Sequence, residues 1–541
     1  MKHRQKQVRA TGKASTPTSV EVDKKRRTLF RYPELPEWEI FTYFISVIVC
    51  TAYAWWRVYD TSVDYRDKRI RPTDWALVGG FRDMANWEWE HFKGWVTHAV
   101  LWMIGHSILF TQSEKFLGKF WSFTMLAYWM TAVAFIASPQ ILLLIILQAA
   151  IVYFPSRLLP HWSVVWVTAI SCLWINIHNR FNIMPDLQVE NELIEVMLIT
   201  YPILSIISYC LTQIEEPRPE DLPYLQGYFN LLWYIFYLPY LVSSIRTYRR
   251  FCYELETRPY RNVDLKHCFW FAAKITFWYY FLDFYRNFLY FDSLMFDVKL
   301  LRRVSLDTLV SIGYVAGTNF FVKYHVIFGF PATFAKLDGM APPGPPSCIC
   351  RIAVYSKMWR NFDRGLYDFF KEHIFVPVAR PSFSLIRKLA GLAMSYVFVL
   401  TWHGWEHKYI VWVYLNVIML IAEQVLRGIY ASSLREWRER NISDGIFRRF
   451  IACLQIFPLA VGAYAIFYFL STSAGGWAFV DRIFWGETVT LQLPFGYLIL
   501  YGYCFTQCAI QCEMWEEKRE AASRAAEAEV VARKEAGQKL D

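Results

Sequence analysis

Two ionisable residues stand in surroundings that rarely keep them. His403 closes a long apolar stretch, Leu389 to Trp402, and is followed by Gly404. An ionisable side chain at membrane depth is costly and marks a functional position by default. Its chemistry would be proton transfer, because neutral imidazole is a general base near neutral pH. The competing reading is a histidine hydrogen-bonded to a carbonyl at a helix end, and one histidine leaves the two open. Asp363 shifts the balance. It lies in Met358-Trp359-Arg360-Asn361-Phe362-Asp363-Arg364-Gly365-Leu366-Tyr367, a segment both amphipathic and charged. A carboxylate there needs a partner or a purpose. The candidate partners are Arg360, three residues earlier, and Arg364, one later, of which only Arg360 lies on the same helical face; the purposes are to orient the base, to stabilise its cationic form, or to hold a substrate.

The elements that must position this pair are membrane helices. The chain has 541 residues, 55% of them hydrophobic and 19% aromatic, and its apolar residues come in unbroken runs rather than alternating. Such runs match the roughly 20 residues needed to cross a bilayer core, which excludes a set of soluble domains. Candidate spans run at about 38–57, 95–111, 119–137, 139–154, 160–178, 193–212, 224–245, 266–290, 306–330, 386–403, 409–427, 448–471 and 493–512, giving ten to thirteen crossings. The segment 139–154 follows Ser138-Pro139 and is short for a full crossing. Val78 to His91 and Trp359 to Val378 are too polar for ordinary spans and read as re-entrant or interfacial helices. Charged chain at that depth is tolerated only when protein or a water-filled cavity covers it, so both segments point to an internal cavity. The fold class is therefore all-α, a polytopic transmembrane bundle with re-entrant segments. Its organisation is a basic arm over 1–37, a membrane domain over 38–515 and a charged tail over 516–541, helical and exposed or disordered.

Charge sets the orientation. Ten Lys and Arg lie between Lys2 and Arg31, directly ahead of the first apolar run, where a cytosolic flank belongs and a nucleic-acid arm has no reason to sit. The loops holding Arg380, Arg387 and Lys388, and Arg427, Arg435, Arg438, Arg440, Arg448 and Arg449, are cytosolic by the same rule. The hairpin between them then carries Trp402-His403-Gly404 to the lumenal end. Asn441-Ile442-Ser443 is a glycosylation sequon on the wrong side to be used. The eleven Cys lie mostly inside apolar stretches and predict no disulfide framework. No cleavable signal peptide is visible, since the first apolar run begins after a long polar segment.

A resemblance extends this reading. Trp359-Arg360 with Phe362-Asp363 and Gly365-Leu366, an apolar span after them, and Trp402-His403-Gly404 about 40 residues downstream resemble the paired signature of membrane-bound O-acyltransferases. Val322-Lys323-Tyr324, Phe328-Gly329-Phe330-Pro331-Ala332, Leu337-Asp338-Gly339 and Pro342-Pro343 are similar to one subgroup, the hedgehog acyltransferases, as is an Asp rather than Asn at 363. Gly79-Gly80 and Gly105-His106 fall in matching order, so the likeness spans roughly 38 to 512. It implies transfer of palmitate from palmitoyl-CoA to the N-terminal cysteine of a hedgehog-type secreted protein, in the lumen of the endoplasmic reticulum, by an enzyme of that membrane or the Golgi. It also implies contact with membrane lipids and none with nucleic acid.

Under that resemblance His403 is the general base and Asp363 a second catalytic residue, with no cofactor required for the transfer itself. A cytosolic donor and a lumenal acceptor demand a tunnel. Lys357, Arg360 and Arg364 are candidates for the CoA phosphates at its cytosolic mouth, and Trp359, Trp402 and Asn416 for contacts with the acyl donor. Cys348 stands where the subgroup has a cysteine able to ligate haem iron; Cys350, two residues on, leaves that assignment ambiguous against a free or acylated cytosolic thiol. Cys504, Cys508 and Cys512 share a helical face but lack acidic or His partners, and His106, His325 and His407 read as structural. The alternatives are acylation of a serine on a Wnt-like or ghrelin-like protein or of a lipid alcohol, a catalytically silent scaffold, and a transporter, for which no inverted repeat is visible.

Overall fold

A computed structural model of the chain describes residues 32–183, 192–216, 223–258, 263–348, 354–485 and 493–537. Most of the basic arm, the end of the tail and Cys350 lie outside them. Among the described residues the long helices are α1 (Glu37–Val63), α2 (Trp87–Leu117), α3 (Trp121–Ile136), α4 (Pro139–Leu158), α5 (Trp162–Ile183), α6 (Glu192–Glu215), α7 (Leu265–Tyr285) and α8 (Leu306–Leu337). Two short helices, α9 (Tyr355–Phe362) and α10 (Arg364–Phe370), precede α11 (Leu385–His403), α12 (His407–Ile429), α13 (Asp444–Leu470) and α14 (Leu493–Gly537).

Among the described residues six segments are long and apolar enough to cross a membrane by length and composition alone: Glu37–Val63, Pro139–Leu158, Val196–Glu215, Leu385–His403, His407–Asn441 and Asp444–Leu470. The chain is a multi-pass membrane protein. Phe41, Ile45, Ile48 and Trp56 of α1 are exposed, as a lipid-facing row would be, while Ala54, Val58 and Ser62 face inward. The helix at Pro139–Leu158 has 20 residues, about 30 Å at 1.5 Å per residue, enough to cross. Pro139 sits at its first position and the Ser138 hydroxyl accepts from the Ile141 amide at 3.2 Å as an N-cap, and the length beyond 154 comes at the other end, where the helix runs past Pro155 to Leu158.

Two expectations are corrected. The apolar run at 224–245 is not one span: it folds as Tyr224–Ile235, a break, and Leu238–Leu241, with residues 231–245 buried almost throughout. Burial inside protein and burial in lipid select the same residues, and Pro239 closes off the helix interior. The segment Val78 to His91 is not a re-entrant helix either. Gly79 and Gly80 take positive φ and join the two strands of an antiparallel hairpin, Ile70–Pro72 and Phe81–Asp83, after which Asn86 caps α2 by accepting from Trp89 N at 3.1 Å. Buried Arg286 donates to the Asp83 carbonyl at 2.9 Å, and Asp283 receives Arg82 at 2.9 Å and Lys93 at 2.8 Å, pinning the hairpin to the end of α7.

At the opposite end Arg449 of α13 bridges Glu39 of α1, and buried Arg448 donates to the Pro33 carbonyl at 2.6 Å and to Gln511 of α14 at 3.0 Å. The starts of α1 and α13 therefore share one face with the charged end of α14. Since the arm's Lys and Arg continue from that face, the bias predicts it to be cytosolic. Epitope tags at both chain ends are expected to be cut by protease added to sealed microsomes, and endoglycosidase is expected to leave the protein's mobility unchanged. A protected N-terminal tag or a glycan on Asn441 would reverse the orientation.

Candidate active site

The base and the carboxylate are delivered by two breaks in helix. α11 ends at His403 because Gly404 takes φ of 94°, left-handed backbone that Gly adopts without steric cost, and the chain reverses over Trp405 and Glu406 into α12. The imidazole at this end is caged by three rings: Trp412 edge-on at 5.5 Å, Phe469 edge-on at 5.4 Å and Tyr409 at 5.6 Å. The second break is Asp363, extended between α9 and α10, where its carboxylate caps α10 by accepting from Leu366 N at 2.9 Å. Gly365 lies so close to the Ile245 carbonyl that an added Cβ would meet that oxygen at 2.3 Å. The re-entrant reading of Trp359 to Val378 fits this chain of short helices, which continues through a π-helical turn at Lys371–Phe375 into Val376–Ala379.

Aromatic rings connect the two breaks. Phe362, next to Asp363, stacks on Phe320 of α8 at 5.4 Å; Phe320 packs on Phe469 at 6.0 Å, and Phe469 on His403. Trp359 packs edge-on against Trp412 at 5.6 Å, and Trp402 against Tyr201 of α6 at 5.4 Å. Among the described residues no hydrogen bond joins Asp363 to His403, and no salt bridge joins Asp363 to Arg360 or Arg364, so the structural ion pair weighed for it is absent.

Sequence reasoning missed a second carboxylate. Glu88, in the first turn of α2, pairs with Lys323 of α8, receives the Tyr324 hydroxyl at 3.2 Å, and acts electrostatically on His403. Tyr201 and Tyr324 each feel both Glu88 and Asp363. All five of Glu88, Tyr201, Tyr324, Asp363 and His403 are enclosed by protein, yet none is fully buried, and the Glu88 side chain keeps 30% of its surface accessible. Trp87-Glu88-Trp89-Glu90 and Val322-Lys323-Tyr324 were conspicuous in the sequence, but their pairing across 235 positions had no local signal.

The remaining candidates divide. Arg364 is exposed and donates to the Ser347 hydroxyl at 2.8 Å, while Arg360 is half-buried in the last turn of α9, on the other side of the break at Asp363. Lys357 is engaged by Glu513 at 2.7 Å and Glu517 at 3.6 Å, which leaves it less free for a phosphate. Asn416 is wholly buried and touches Trp359. His106 belongs to a buried network with Asp338, at 2.7 Å, and Trp129, and His325 meets the Pro346 carbonyl at 3.2 Å, so both are structural. Cys348 is half-buried on the loop after α8.

The sequence profile of the membrane-bound O-acyltransferases matches residues 149–466, which include both helix breaks. The chain belongs to that family. Over its length this acyltransferase is 24% identical to the mouse protein-cysteine N-palmitoyltransferase HHAT, across 506 residues that cover 87% of this chain and 97% of the relative. It is 28% identical to the Drosophila protein-cysteine N-palmitoyltransferase Rasp over 320 residues, 58% of this chain and 62% of that one. It is 24% identical to a mouse HHAT-like protein over 442 residues, 77% and 83% of the two chains.

Proposed function

We propose that this acyltransferase moves palmitate from palmitoyl-CoA to the N-terminal cysteine of a hedgehog-type secreted protein, as a resident of the endoplasmic reticulum membrane with its acceptor on the lumenal side. The observation that carries the reading is the run of packed rings, Phe362 on Phe320 and Phe320 on Phe469, that joins the helix break at Asp363 to the cage around His403. The likeness to HHAT over nearly that relative's whole length supports the same donor and acceptor. Residues 38–515 form the catalytic membrane domain, flanked by the basic arm and the charged tail.

The α-amine of the acceptor attacks the thioester carbonyl carbon. A C–N bond forms, the C–S bond breaks, His403 takes the amine proton and returns it to the departing CoA thiolate. An α-amine with an ordinary pKa near 8 is partly protonated at neutral pH, so a base at this point raises the rate of attack. The Glu88 carboxylate faces the imidazolium that forms and stabilises it. Asp363 holds the donor or the amine rather than the imidazole. Trp359 and Trp402 wall the passage.

Purified enzyme with labelled palmitoyl-CoA and peptides beginning with Cys, Ser or Lys tests this directly. Label stable to hydroxylamine is expected on the Cys peptide alone. Label on the Ser peptide, released by hydroxylamine, would make the enzyme a serine acyltransferase and overturn the acceptor assignment.

A further inference from the structure

We propose that Asn416 is a positioning residue that sets the re-entrant helix α9 against the His403 cage; this rests on the reading of His403 and Asp363 given above. Asn416 has the appearance of a chamber residue, a lone amide midway along an apolar helix. Its contacts say otherwise. It has no accessible surface, and its polar atoms are all engaged within the protein: Oδ1 accepts from Trp359 Nε1 at 2.9 Å and from the Tyr355 hydroxyl, while Nδ2 donates to the Trp412 carbonyl at 2.6 Å. Buried to this degree, it presents no surface to a substrate.

Tyr355 and Trp359 lie four apart on α9 and so share a face. One amide oxygen holds both of them. Seven residues further along α12, on the same face, Glu423 accepts from the Ser356 amide at 2.8 Å and hydroxyl at 2.7 Å. α12 thus grips the start of α9 through Glu423 and its middle through Asn416. One turn before Asn416, the same helix presents Trp412 to both the His403 and the Trp359 rings. The helix that leads into Asp363 and the ring that cages the base are therefore fastened at a single residue. Misplacing reacting groups by about 1 Å can cost about 10²-fold in rate.

The test compares Asn416→Leu, which keeps the size and removes the polar atoms, with Met419→Leu, a volume-conserving change on the same buried face near Tyr355. Asn416→Leu is expected to raise hydrogen exchange across residues 355–363, to lower kcat for transfer by about 10²-fold, and to leave KM for the Cys peptide unchanged. Adding Tyr355→Phe to it is expected to cost little more, because the two side chains act as one unit. Met419→Leu is expected to change neither exchange nor kcat. Unchanged exchange at 355–363 in folded Asn416→Leu would overturn the clamp, and raised exchange with parental kcat would overturn its catalytic role. If the parent labels no peptide at all, the proposed function fails, while raised exchange in Asn416→Leu still supports the clamp.

Discussion

Replacing His403 with Gln is expected to lower transfer to a Cys-initiated peptide by about 10²- to 10⁴-fold, the usual contribution of a positioned general base. The fold is expected to survive the change. His403 is the last residue of its helix, and the reversal after it is made by Gly404, which the substitution leaves alone. Its ring is held by Tyr409, Trp412 and Phe469 through contact rather than by a buried ion pair, so Gln does not leave a charge without its partner. Glu88 keeps its own partner in Lys323. Binding of palmitoyl-CoA is expected to stay at the parental level, since the proton is needed only when the amine attacks. Equilibrium binding of labelled palmitoyl-CoA, a melting curve in detergent and single-turnover transfer together check this. A folded His403→Gln protein that binds donor and transfers at the parental rate would end the assignment of His403 as base.

The sequence showed His403 and Asp363 because each breaks a rule that lipid imposes on everything around it. A charge in an apolar run is visible without any knowledge of contacts. The same rule located most of the helices, including both partners of the His403 hairpin. It misplaced 224–245, where Leu231, Tyr234 and Tyr237 are shielded by other helices rather than by lipid, a difference that hydropathy does not register. It misassigned Val78 to His91 because the segment joins the end of a hairpin to the first turn of α2, where Trp87 and Trp89 give it an interfacial composition; the deciding feature, Arg286 at the end of α7 donating to the Asp83 carbonyl, joins residues 203 apart. Glu88 was hidden for the same reason. Near Trp87 and Trp89 it resembles an interfacial charge, and only the approach of α8 and α11 makes it a neighbour of Lys323 and His403. Long-range pairing, not residue type, was the missing information.

Asp363 carries two duties that one pair of substitutions separates. Its carboxylate caps α10 through the Leu366 amide, and it supplies the negative charge assigned above to the donor or the amine. Asn is as good an N-cap as Asp, whereas Ala loses about 0.5–2 kcal/mol of helix stability. Asp363→Asn is therefore expected to melt with the parent, because its amide oxygen still accepts from Leu366. Asp363→Ala is expected to melt lower. If the negative charge acts on the donor or the amine, both variants lose transfer by about 10²-fold or more, and the Asn variant does so with its fold intact. Because Asp363 makes no hydrogen bond to His403, its loss is expected to leave the pH dependence of the residual rate in the parental position, set by the base. The measurement is kcat for the Cys peptide against pH, with melting curves for both variants. Parental kcat in Asp363→Asn alongside a slow, low-melting Asp363→Ala would reduce Asp363 to a helix cap and leave His403 to act without a second catalytic carboxylate at that position.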